Sequence, residues 1–171
     1  MTEWAWIVLV LLTAAWLEVL LGAYSVAAPF FISTVFYLLM VFDWRRVVWP
    51  ALVFALMLDS VQGRVMPAAG LGLGLAWGLA CWWKPRDNLT GYLAQAAPNF
   101  ALGLGYGLLV AFGDLMVAAG WRGLLTAVPW VALRGGVATA VVGVVVCRVL
   151  DAVAIRAELP GLLSNQPGET G

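Results

Sequence analysis

The residues able to do chemistry in this chain are few, and most are carboxylates and arginines set into apolar runs. The stretch "FALMLDSVQGRV", residues 54–65, gathers Asp59, Gln62, Gly63 and Arg64 where a hydrophobic run gives out. Glu18 interrupts an earlier apolar run and Asp114 a later one. A carboxylate near the centre of a bilayer costs about 2.5–3.5 kcal/mol even on the lenient insertion scale, so each must face protein or water, or sit near an interface. Two readings stay open for Glu18 and Asp114: an interfacial position close to the outer helix ends, or a shared outer cavity with Arg64, Arg122 or Arg134 as partners. Histidine is absent, and Cys81 and Cys147 stand alone in apolar stretches. Zinc spacings, thiol pairs and histidine-dependent triads are thereby excluded, and both thiols read as small packing or lipid-facing residues. Proton abstraction or metal-assisted hydrolysis would need an unusually sparse site, so the inventory points away from an enzyme, a cofactor or a metal.

Glycines and aromatic–basic turns make up the remaining patterns. "GLGLGLAWG" places Gly70, Gly74 and Gly78 at four-residue spacing along one helix face, and Ala101, Gly103, Gly105 and Gly107 repeat the theme. Such a stripe admits a second helix at close range. A phosphate-cradling loop would need a preceding strand, for which there is no candidate. The turns "FDWRRVVWP" and "CWWKPRDN" both set aromatic rings beside basic residues, which suits anchoring at lipid headgroups or docking of a partner.

The elements that position these residues follow from composition. Hydrophobic residues make up 64% of the 171 and charged residues 11%, with zero net charge, against roughly 45–50% and about 25% in soluble domains. The chain reads as a single integral membrane domain over 1–158, with a polar, disordered tail over 159–171, and it lacks the basic footprint that nucleic acid requires. Glu3 stands where a signal peptide needs positive charge, so the first run reads as a mature helix. Six spans are expected, at about 4–22, 26–42, 46–60, 66–83, 94–117 and 135–155. Pro67 opens the fourth. Residues 120–136, interrupted by Pro129, read as an interfacial helix or cap with Trp121 and Trp130 at headgroup depth.

If six spans alternate, Arg45, Arg46, Lys84, Arg86, Arg148 and Arg156 fall on one side and Arg64, Arg122 and Arg134 on the other. The positive-inside rule then puts both termini in the cytoplasm. The second and third segments are short: Arg46 to Asp59 spans only about 20 Å, against about 30 Å of hydrocarbon. Snorkelling arginines close that gap in one reading; a re-entrant hairpin replaces it in the other.

Residues 28–83 resemble the rod shape-determining protein MreD family of bacterial inner-membrane proteins. The resemblance rests on Pro29 opening the second span, the run "VFYLLMVF", the basic turn residues Arg45 and Arg46, and Asp59 and Gly63 in an Asp-x-x-x-Gly signature that ends the third span. The Gly70 stripe follows. Ala28, Ala55 and Pro67 depart from the family pattern and mark a divergent member. The resemblance implies an all-α six-span fold similar to the substrate-binding subunit of energy-coupling-factor transporters. It also implies a non-enzymatic scaffold in the bacterial cytoplasmic membrane that binds MreC directly and works with MreB, RodA and a class B penicillin-binding protein among membrane lipids. In that frame Asp59 ends the third span, Gly63 permits a tight turn, and Arg64 offers a local ion pair. The rival is a vitamin-binding transporter subunit, opposed by the lack of an Ala-x-x-x-Ala pair in the first span and by the short "GAYSVAA" loop.

Overall fold

The computed structural model describes residues 2–23, 29–64, 66–84, 92–118 and 120–160. Every element among them is a helix: α1 Glu3–Ala23, α2 Phe30–Val41, α3 Trp44–Val61, α4 Ala68–Trp83, α5 Tyr92–Ala118 and α6 Gly120–Arg156. Three stretches, Glu3–Gly22, Tyr92–Gly113 and Val128–Arg156, are long and apolar enough to cross a membrane, while α2 and α4 are shorter apolar helices.

The shortest helix is the most enclosed. Phe31 through Met40 of α2 are buried without interruption, and α1, α3, α4, α5 and α6 all pack against it. A helix apolar on every face must be surrounded by apolar partners, which explains why "FFISTVFYLLMV" carries no polar stripe. At 12 residues it is about 18 Å long, well short of the hydrocarbon thickness. The sequence places this segment at 26–42; α2 is confined to 30–41 because Pro29, at its N-cap, cannot supply a helical N–H.

Two expected boundaries are corrected. Arg45 and Arg46 are not in a turn: α3 begins at Trp44, with the Asp43 carboxylate accepting a hydrogen bond from the Arg45 backbone N–H at 3.3 Å, an N-cap. The expected cap over 120–136 and sixth span over 135–155 are one helix of 37 residues with Pro129 inside it. Packing explains the continuity. A Cβ built on Gly107 would lie 3.1 Å from Ala132 Cα, and one on Gly103 would collide with Thr139 and the Gly135 carbonyl. The contact face of α6 against α5 therefore begins within the stretch read as a cap. Gly143 extends it, seated directly on the Asn99 carboxamide. Trp121 and Arg122 have side chains outside the described residues, as does the tail over 161–171; Trp130 and Arg134 are exposed on α6.

Candidate functional site

Two helices begin behind a proline and lack a capping side chain of their own. At both Pro29 of α2 and Pro67 of α4 no side-chain cap is made locally, leaving first-turn N–H groups in need of acceptors. A carboxylate on the preceding helix supplies each one. Glu18 of α1 accepts from the Phe31 N–H at 2.8 Å. Asp59 of α3 accepts from the Ala69 N–H at 3.0 and 3.1 Å and from the Gly70 N–H at 3.2 Å. Glu18 is 7% and Asp59 5% exposed, so these are buried, charge-assisted caps facing the positive ends of two helix dipoles.

Arg64 closes the arrangement. Its Nη1 donates to the Tyr106 hydroxyl of α5 at 2.5 Å and lies 3.6 Å from Asp59 Oδ1. The guanidinium carbon sits 5.6 Å from the centre of the Tyr106 ring, within cation–π range. Glu18 interacts electrostatically with both Arg64 and Asp59. The guanidinium pairs with Asp59, and the site ties the ends of α1 and α3 to the starts of α2 and α4 and to the middle of α5.

The turn after Asp59 is built from its own backbone. Gly63 adopts φ +62°, its N–H bonds to the Ser60 carbonyl at 3.2 Å, and the Arg64 N–H bonds to the Asp59 carbonyl at 3.1 Å. These are the two bonds of a Schellman motif with glycine at C′. Asp59 therefore anchors the turn through its main chain and the next helix through its side chain. The same order occurs in the first hairpin: Glu18 precedes Gly22 by four residues as Asp59 precedes Gly63, and in each case the carboxylate caps the amide two residues after the proline.

The remaining candidates divide. Arg46 pairs with Glu3 at the opposite end of α1 and α3, in an exposed position; Arg45 lies 5.6 Å over the Trp44 ring. The side chain of Asp114 lies outside the described residues. Of the glycine stripe, Gly70 joins the site through its N–H. Added Cβ atoms at Gly74 and Gly78 would meet nothing within 4 Å among the described residues, so no described helix of this chain uses that face. It opens instead onto a shallow groove of about 370 Å³ whose lining includes Gly74, Gly78, Trp82, Ala101 and Gly105. The glycine of α4 that is packed is Gly72, against Tyr106 and Ile32.

Sequence reasoning missed a second buried polar contact. The Tyr37 hydroxyl of α2 donates to Asp151 Oδ1 of α6 at 2.7 Å, with Asp151 only 1% exposed. The available signal was a carboxylate inside the last apolar run, "VVVCRVLDAVAI".

Comparison of the chain with family models, curated proteins and solved structures returns no match.

Proposed function

We propose that this chain is a divergent member of the MreD family, a non-enzymatic, six-span scaffold of the bacterial cytoplasmic membrane with both termini in the cytoplasm and the transporter-subunit-like fold that the family resemblance implies. In this reading it binds MreC and links it to MreB and to RodA with its class B penicillin-binding protein. The observation that carries the proposal is the Asp59-x-x-x-Gly63 unit: a buried carboxylate capping α4, followed by a glycine at positive φ. That is a geometry for which both residue types are needed. The site holds helices in register and, among the described residues, leaves no group poised over an open cavity, which suits assembly better than turnover. The exposed α4 stripe and its groove supply a face that a partner's membrane helix fits.

The test is affinity purification of the full chain in mild detergent from a rod-shaped bacterial host that depends on it. MreC is expected to co-purify with wild type. Asp59→Leu is expected to lose MreC and yield round cells at normal protein level, with Asp59→Asn intermediate. Recovery of transporter ATPases in place of MreC would replace this reading with the vitamin-binding one. Rod shape and full MreC recovery with Asp59→Leu would reduce the signature to an ordinary helix end.

A further inference from the structure

A cation stands on the outward side of α6. Arg134 lies inside the Val128–Arg156 stretch that is apolar enough to cross a membrane, it is exposed, and no hydrogen bond or ion pair joins it to another described residue. Helix packing fixes its depth. A Cβ on Gly107 would meet Ala132, and one on Gly103 would meet Gly135 and Thr139, so Arg134 is level with the part of α5 around Tyr106. Gly113, seven residues further along α5, is level with the α3–α4 turn, where an added Cβ would lie 3.1 Å from Met66 Cβ. That turn contains exposed Gly63 in a left-handed conformation. Irregular backbone is not tolerated where hydrocarbon touches it, so the turn sits at the membrane boundary or beyond it. Seven residues of helix rise about 10 Å, or about 8 Å at the largest usual tilt of about 40°. Arg134 is therefore about two turns inside the membrane.

Intramembrane charges face a protein interior or water and pair with one another. This chain offers Arg134 no such partner among its described residues: Glu18 and Asp59 are buried around other groups, while Glu3 and Asp43 stand at the opposite ends of α1 and α3. The backbone of Asp114 lies eight residues beyond Tyr106, about 12 Å along α5. A second copy fails for a related reason, since a two-fold axis along the membrane normal brings equal depths together and would set Arg134 against its own kind. Lipid phosphate suits arginines near helix ends, which snorkel; α6 begins at Gly120, and two turns of hydrocarbon lie between Arg134 and the headgroups. The surrounding side chains suit a helix. Trp130, Arg134, Val137 and Val141 recur at intervals of four, three and four, the spacing of a helix-packing seam, and the three apolar members are 63%, 52% and 62% exposed.

We infer that the Trp130–Arg134–Val137–Val141 ridge docks a transmembrane helix of a different protein, one that carries an aspartate or glutamate about two turns inside the membrane and pairs it with Arg134. The ridge is separate from the α4 groove, because α4 does not pack on α6. The inference rests on the chain spanning a membrane and not on the identity of the partner proteins proposed above.

The test places photoreactive p-benzoylphenylalanine at Val137 of the full chain, in intact cells that depend on it, and maps what is captured by mass spectrometry. The expected product is a transmembrane segment of another protein with Asp or Glu at the depth of Arg134. Capture is expected to fall about tenfold in Arg134→Leu, the effect of losing one interhelical polar contact, and to persist in Arg134→Lys. Arg134→Glu alone should abolish capture, and replacing the partner's carboxylate residue by arginine should then restore it. Phospholipid as the only product, a captured segment without a carboxylate at that depth, or equal capture by wild type and Arg134→Leu would each overturn the inference. Detergent-solubilised Arg134→Leu is expected to match wild type in size exclusion, because the guanidinium pairs with no described residue. A folding defect in that variant would show that Arg134 is used within the chain, and would overturn the inference as well.

Discussion

At the scale of single residues the decisive feature is charge imbalance: Glu18 and Asp59 are both buried, and Arg64 pairs with Asp59. Helix N-termini offset part of the excess negative charge, but two like charges in a shared apolar setting still disfavour each other. Arg64→Gln is therefore expected to destabilise the protein by about 1–3 kcal/mol, the cost of leaving buried polar groups under-compensated. Adding Glu18→Gln to Arg64→Gln should recover part of that loss, because it removes one of the two uncompensated charges and keeps an acceptor for the Phe31 N–H. Thermal unfolding of both variants in detergent checks this; a double variant less stable than Arg64→Gln alone would show that Arg64 acts through Tyr106 and not through the carboxylates. The turn at Gly63 and the Asp59–Arg64 pair were legible in the sequence because they lie within a few residues; the cap that Asp59 makes on Ala69 and Gly70, 10 and 11 residues on, was not. The role of Glu18 was not, because its amide partner is 13 residues away beyond a loop with no diagnostic pattern. For the Asp151–Tyr37 bond, across 114 residues, the sequence shows a carboxylate in an apolar run but not its partner.

At the scale of elements, glycine spacing shows that a helix can be approached closely but not from which side. Stripes on α4 and α5 look alike in sequence; only the α5 stripe is filled, by α6, with Gly103 against Thr139 and Gly107 against Ala132. The difference lies in the facing helix. α6 offers Gly135, Thr139 and Gly143 in the same four-residue register, whereas α4 presents Gly74 and Gly78 to open space. Gly103→Leu is accordingly expected to cost at least the 1–3 kcal/mol typical of overpacking and to lower the yield of folded protein. Gly74→Leu should fold like wild type, within about 0.5 kcal/mol, and lose only partner capture. Size-exclusion profiles and unfolding midpoints separate the two, and a folding defect in Gly74→Leu would mean that its face is closed within the chain. The same pairing explains why α6 runs through Pro129: helix boundaries read from punctuation fail where a packed partner outweighs one lost backbone hydrogen bond.

At the scale of the whole molecule, hairpin geometry sets which ends lie together. The exposed Glu3–Arg46 pair holds the starts of α1 and α3 at one end, while Glu18, Asp59 and Arg64 gather the far ends of the same helices with the starts of α2 and α4. The chain thus reverses direction at each of the first three connections, even though α2 has only 12 residues. This alternation is the premise on which the sequence divides its basic residues between two sides. The shortness of α2 was ambiguous, because an apolar run reads alike whether protein or lipid surrounds it. Enclosure by five helices removes the need for α2 to match the bilayer by itself. If the end bearing Arg45, Arg46 and Lys84 faces the cytoplasm, as the positive-inside rule requires, a membrane-impermeant maleimide added to intact cells should modify Gln62→Cys and spare Lys84→Cys in a background lacking Cys81 and Cys147. Permeabilisation should then expose Lys84→Cys, which controls for burial of that position. Modification of Lys84→Cys but not of Gln62→Cys in intact cells would invert the orientation. Modification of both would place the two ends of α4 on the same side, and α4 would then be part of a re-entrant hairpin that never crosses.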